Sequence, residues 1–384
     1  MKQKNTNSLA KFTIRNLVLM ILINVFFVFN SYAHEYGVVS GSNRITMPIT
    51  LGGFMFHPTL PFAYAFGRQT NTVTAFKVNV NDGSLTQISS SINSGGISPT
   101  FGASFDPNGQ YLYVPNADSN SVAQFAIDSK TGNLSLVDNV IFSTVAPNNI
   151  YPYTISFSPT GKYAYVPMYK SNQIAILDVD KNSGKLKYRK SIPTGYAPVS
   201  FIFNHDGKYG VLNNQNSNQI QLFAVADNGE LLLIENFTSP DIINPFFAAP
   251  NPDGVHFYVA SNSNNRLVQI KLSMTPAPHL EYINSVNVGG IGPNTFLAFS
   301  NDLNYAYEGN YDDNSLSMFK VVDGVLQPLS PLTIKLTGYG VIQCRKIPNA
   351  NFIYTVNFIS NDLSVYEITT TGQLIPHVFK NSSN

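Results

Sequence analysis

The chain has no tryptophan, one cysteine, and charged side chains at only 12% of its 384 positions. A lone Cys344 excludes an internal disulfide, so packing and hydrogen bonds must hold the fold. It sits in the apolar-flanked stretch GVIQCRKI with no histidine near it, which reads as a buried, inert thiol. The six histidines, at 34, 57, 205, 256, 279 and 377, show no paired metal spacing, so no zinc site is expected. No G-x-S-x-G elbow and no phosphate-binding loop is present, and no cofactor is expected. No clustered run of Lys and Arg follows the leader. The full chain carries +1, but the first 33 residues hold four basic residues and no acid; the remainder has 19 against 22, a charge of −3. That balance disfavours nucleic acid as a partner, because such binding needs clustered cations to neutralise phosphates.

Long apolar runs are also missing after the leader. Residues 1–33 combine Lys2, Lys4, Lys11 and Arg15 with the apolar run LVLMILINVFFVF and a small-residue step, SYA, before His34. This pattern reads as a secretory signal peptide, and the run is short for a membrane span. The expected mature protein is periplasmic or secreted, a monomer with no membrane span, and a single domain over 34–384.

What is present is a repeat. Taking Tyr64, Tyr113, Tyr165, Val211, Tyr258, Tyr307 and Tyr354 as anchors, successive copies are 49, 52, 46, 47, 49 and 47 residues apart. Seven residues after each anchor stands an asparagine: Asn71, Asn120, Asn172, Asn218, Asn265, Asn314 and Asn361. Eight residues before it, five copies carry Phe56, Phe105, Phe157, Phe203 or Phe299. Downstream, a Gly-x-Leu step begins at Gly83, Gly132, Gly184, Gly229, Gly324 and Gly372, and the fifth copy has Pro278 instead.

Each unit reads as four short strands, A to D, with period-two alternation and Gly, Pro and Asn punctuation. In the second copy these are TFGASF, YLYVP, SVAQFAID and NLSLVDNV. Four-stranded units of this length, repeated, specify an all-β, seven-bladed β-propeller of four antiparallel strands per blade. One sheet cannot bury both faces alone; stacked radially, the blades bury each other. The repeated Asn is expected as a turn residue, since it tolerates the left-handed backbone and can bond its own backbone. The anchor tyrosines and the upstream phenylalanines are expected between blades. Residues 44–53 resemble 284–292, which predicts that the N-terminal segment pairs beside the last blade, near 373–380.

In this architecture the D–A and B–C loops share one face. The D–A loops, at 94–100, 146–154, 194–200, 241–248, 289–295 and 336–343, bring Tyr151, Tyr153, Tyr196, Phe246, Phe247 and Tyr339 toward it as candidate ligand-binding residues. The B–C loops add Arg68, Asp118, Tyr169, Lys170, Gln215, Asp312, Asp313 and Phe358. An aromatic-rich rim with scattered amides suits a carbohydrate or another small ligand with an apolar face. Glu308, Asp312 and Asp313 lack the spacing of a calcium loop and read as a solvated turn, so no metal site is expected.

The segments YLYVPNADSNSVAQFAID, FSPTGKYAYVP and DSKTGNLSLV resemble the lactonase-type seven-bladed propellers, a family that includes 6-phosphogluconolactonases, muconate-lactonizing enzymes and YVTN repeat proteins. The resemblance implies a catalytic His, Asp and Arg. The matching stretch here, 151–174, has Tyr153 where the His would stand and Met168 and Gln173 in place of the acid and the Arg. The expectation is therefore a non-catalytic binding module for a glycan, small molecule or protein. The alternative is a lactonase-like hydrolase of sugar or aromatic lactones using other groups, such as Arg68, Asp118 or Asp312.

Overall fold

The computed structural model describes residues 37–142, 150–293 and 297–380. The expected signal peptide over 1–33, and the D–A loop residues 146–149, 294 and 295, lie outside the described residues. No helix among the described residues is long and apolar enough to cross a membrane.

Seven antiparallel sheets follow one another along the chain. Blade 3 is representative: strand A at Ser156–Phe157, B at Tyr163–Met168, C at Gln173–Val179 and D at Leu186–Pro193. Blade 7 closes the ring. Its strand C, Asp362–Ile368, pairs at one end with Leu374–Pro376 and at the other with Arg44–Thr46, so the two chain ends share one outer strand. The Arg44 guanidinium bonds the buried Asp362 carboxylate at this seam.

Two sets of side chains tie each blade to the next. Five anchor tyrosines donate a hydroxyl hydrogen bond to the C–D turn glycine carbonyl of the following blade, at 2.8–3.0 Å: Tyr64 to Gly132, Tyr113 to Gly184, Tyr165 to Gly229, Tyr258 to Gly324 and Tyr307 to Gly372. Tyr354 donates to Gly83, which joins blade 7 to blade 1. The two irregular repeat positions belong together. Val211 of blade 4 has no hydroxyl, and blade 5, which it faces, is the copy with Pro278 in place of glycine. At that junction Glu235 accepts from the Leu280 amide at 2.7 Å. Each anchor ring also packs on the next blade's upstream phenylalanine where one exists, as Tyr113 does on Phe157 with centroids 4.6 Å apart.

The asparagines work at the opposite face. All seven have φ between 51° and 60°, the left-handed region that Asn tolerates. Their side chains bond not their own turns, as the sequence suggests, but the D–A loop entering the next blade. Each Oδ1 accepts a backbone N–H there at 2.6–3.2 Å, from Ser98, Ile150 and Tyr151, Ala197, Asn244, Gly292, Gly340 and Leu51 in turn. The last of these runs from Asn361 of blade 7 to blade 1, so this hoop closes too.

Tyr165→Phe leaves the buried Gly229 carbonyl without its donor and should lower the unfolding free energy by about 1–2 kcal/mol in a urea titration. Phe157→Ala, which opens a cavity under Tyr113, should cost about 3–5 kcal/mol. Asn172→Ala should cost about 1 kcal/mol more than Asn172→Gly, because glycine restores the left-handed backbone although neither restores the bond to Ala197. Equal losses for the two Asn172 variants would contradict the backbone account.

Candidate functional site

The channel mouth on the asparagine face is filled by aromatic rings. Tyr153 meets Phe101 edge-on at 5.4 Å between centroids and stacks on Tyr169 at 5.4 Å. Phe246 and Phe247 close on the same ring at 6.0 and 6.3 Å, and Phe101 touches both. These rings come from blades 2, 3 and 5, which do not adjoin in one run around the ring, so the cluster lies at the axis. The repeat explains why. Phe101, Tyr153, Val199 and Phe246 all stand twelve residues before their anchors, at one level of the inner strands. Burial pushes the Tyr153 hydroxyl well above its ordinary pKa and the Tyr169 hydroxyl up to about 12, so both remain protonated.

Polar groups stand over this floor. Arg68, in the B–C loop of blade 1, donates from Nη2 to the Tyr151 hydroxyl at 2.8 Å. Tyr151 belongs to the loop entering blade 3, so the guanidinium reaches past blade 2, whose equivalent loop residue is the small, buried Ala117. Tyr151 is itself held in the left-handed region, φ 55°, where its amide is bound by Asn120. The Lys170 ammonium lies 4.4 Å from the centre of the Tyr151 ring, a cation–π contact. Tyr169 donates to Gln215 Oε1 at 3.0 Å, which extends the polar rim into blade 4. Because the Tyr151 oxygen accepts from Arg68, its own O–H proton is directed elsewhere. The pair thus offers guanidinium and phenol donors side by side.

Of the residues singled out from sequence, Tyr151, Tyr153, Phe246, Phe247 and Arg68 come together here. Tyr196 and Tyr339 sit on loop tips, 67% and 57% exposed, with no ring contact among the described residues. Asp118 is exposed on the blade 2 loop and accepts from the Ser98 hydroxyl. Asp312 is exposed on the blade 6 loop, where its carboxylate fills the space that a side chain on Gly292 would need. Asp313 is bonded by Ser315 and Lys335, and Glu308 is wholly buried inside blade 6, so this acidic turn is not one cluster. Among the described residues no group of three His, Cys, Asp or Glu converges to hold a metal. The described histidines stand away from the mouth. His57 and His205 are in A–B turns, and His57 is buried, bonded to the Gly109 carbonyl, with burial lowering its pKa. Sequence reasoning treated Phe101 as an ordinary strand residue and Tyr169 as a rim residue only. The shared register with Tyr153 was the signal for Phe101; the stacking of Tyr169 depends on loop geometry that the repeat does not encode.

The sequence model described as "Lactonase, 7-bladed beta-propeller" matches residues 55–151 and 104–241. The 6-phosphogluconolactonase of Bacillus subtilis is 25% identical over 162 residues, 41% of this chain and 45% of that protein. That of Photorhabdus laumondii is 23% identical over 145 residues, 38% of this chain and 42% of that protein. The chain therefore spans less than half the length of these relatives. The periplasmic gluconolactonase of Pseudomonas aeruginosa superposes with a TM-score of 0.65 at 20% identity, covering 80% of this chain and 90% of that one, a likeness of fold. These relatives overturn the expectation of a non-catalytic binding module. That expectation rested on the missing His, Asp and Arg, yet the proteins that this chain resembles are named as lactonases, and the mouth supplies a cation and phenols from other positions. The chain belongs to the lactonase-type seven-bladed β-propeller family.

Proposed function

We propose that this protein is a lactonase-like hydrolase of a sugar lactone, acting at the aromatic-floored mouth, with Arg68 and Tyr151 as its catalytic residues. The observation that carries the proposal is the Arg68–Tyr151 hydrogen bond over the ring cluster. Lactone hydrolysis places negative charge on the carbonyl oxygen as water adds. A guanidinium and a phenol O–H held side by side stabilise that charge without reorganising, which is the main task of an oxyanion site. The floor of Tyr153, Tyr169 and Phe246 supports the apolar face of a sugar ring. The chemistry balances simply. The water oxygen bonds the carbonyl carbon, the bond to the ring oxygen breaks, and the water proton passes to the departing alkoxide, giving a hydroxy acid.

The leader pattern supports export, to the periplasm or outside the cell. An exported enzyme meets sugar lactones without phosphate, so the preferred substrate is an unphosphorylated aldonolactone, and the partner is this small molecule.

Purified protein should hydrolyse at least one of glucono-δ-lactone, galactono-γ-lactone and dihydrocoumarin above the spontaneous rate, read by proton release in weak buffer. Arg68→Ala should lower kcat/KM by about 10²–10³-fold, as loss of an oxyanion donor does. Tyr151→Phe, which removes one donor and frees the guanidinium, should lower kcat with little change in KM. Tyr169→Ala should chiefly raise KM. No turnover across the panel, or full activity in Arg68→Ala, would defeat the proposal.

A further inference from the structure

The rim of the mouth is itself built on the repeat. In all seven blades the residue four after the anchor donates its amide to a carbonyl of the loop entering its own blade. These bonds measure 2.9–3.3 Å and run from Arg68 on Thr50 in blade 1 to Phe358 on Gly340 in blade 7. One backbone position therefore recurs seven times around the opening. Arg68, Tyr169 and Gln215 occupy it, and the side chain of each joins the network over the floor.

The two sides of this rim differ in chemistry. Blades 1 and 3 bring the cations Arg68 and Lys170 to Tyr151. Blades 4, 5 and 6 carry Gln215, Asn262 and Tyr311 at the rim position, all uncharged. Asn262 donates from Nδ2 to the Pro293 carbonyl at 3.2 Å. Pro293 stands fourteen residues before its anchor, the register that Tyr151 holds in blade 3. Asn262 thus reaches the same loop position in blade 6 that Arg68 reaches in blade 3. The Asp312 carboxylate, next to Tyr311 in the chain, lies against Gly292.

Hydrogen-bonding capacity is left over on the uncharged side. Gln215 Oε1 is taken by Tyr169, and its Nε2 has no partner among the described residues. Asn262 Oδ1 is likewise unbonded among them. Tyr311 is half-buried, and its hydroxyl makes no hydrogen bond to a described residue. Burial, with the Asp312 charge beside it, raises the Tyr311 pKa, so the phenol keeps its proton and can both donate and accept. A shared backbone position gives a shared Cβ direction, which starts this phenol toward the opening that Tyr169 enters. Uncharged groups that donate and accept, set around an aromatic floor, match the hydroxyls of a neutral polyol. They gain nothing from a bare hydrocarbon ring.

We propose that Gln215, Asn262 and Tyr311 are the specificity-determining residues of the mouth, reading the hydroxyls of a polyhydroxylated lactone whose carbonyl lies at Arg68 and Tyr151; the inference rests on the sugar-lactone reading of this site. Hydrolysis of glucono-δ-lactone and of δ-valerolactone, the same six-membered ring without hydroxyls, tests it. The unmodified protein should favour the hydroxylated lactone by about 10²-fold or more in kcat/KM. Tyr311→Phe, which removes one oxygen, should cut that preference about three- to tenfold, through KM rather than kcat. Asn262→Ala should do the same. Isothermal titration with glucono-δ-lactam, a cyclic amide far slower to hydrolyse, keeps this test apart from the hydrolase reading. The lactam should bind the unmodified protein, and about three- to tenfold more weakly to Tyr311→Phe. That result without turnover of any lactone would uphold the arc and defeat only the hydrolase reading. Turnover with no preference for the hydroxylated lactone, no lactam binding, or a preference and a lactam affinity that survive both Tyr311→Phe and Asn262→Ala would overturn the assignment.

Discussion

The fold depends on a constraint that no single blade can meet. A four-stranded sheet of this size has two apolar faces and can bury them only against neighbours, so seven such sheets must be kept in register around a ring. The chain meets this with two hoops of side-chain-to-backbone hydrogen bonds. At one face the anchor tyrosines reach the next blade's C–D turn; at the other the asparagines reach the next blade's entry loop. Both hoops pass through the junction of blades 7 and 1, by Tyr354 to Gly83 and by Asn361 to Leu51. Closure therefore uses the same contacts as the other junctions, that of blades 4 and 5 lacking the tyrosine contact, and is reinforced by the shared outer strand at Arg44–Thr46.

The same asparagines set up the mouth. The backbone of Tyr151 occupies a conformation that a large side chain rarely adopts, and it does so where Asn120 accepts from its amide. That clamp aims the phenol at Arg68 and places the ring beneath Lys170. Structural hoop and chemical rim are thus one device: the residue that fixes blade order also positions a proposed catalytic hydroxyl. Below it, the inner strands converge so closely that Phe101 and Phe247, from well-separated blades, touch. The axis at this level is a hydrophobic floor, not an open pore.

Blade number, strand order and the site of closure were legible because the repeat carries its own register. Period two in strand C, a constant Asn offset and a recurring glycine step leave one way to lay out the sheets. The partners of the repeated side chains were not legible. Nothing local says that the Tyr165 hydroxyl ends on Gly229 or that Asn172 bonds Ala197, because both contacts depend on the distance between blades. The paired exceptions, Val211 and Pro278, did encode the first of these: the hydroxyl and its glycine partner vanish together. At the mouth, comparing one stretch with a family motif showed which groups were absent. It could not show that Arg68 crosses blade 2 to reach Tyr151, and so it favoured binding over catalysis.

The central structural claim is that surface loops entering the blades are locked by the asparagine carbonyls. Hydrogen exchange of the amides of Ser98, Ala197, Asn244, Gly340 and Leu51 tests it most directly. The account predicts protection comparable to that of the strand C amides, lost only with global unfolding. Exchange at the rate of neighbouring exposed loop amides would show that the asparagines merely turn the chain and that packing alone holds the ring.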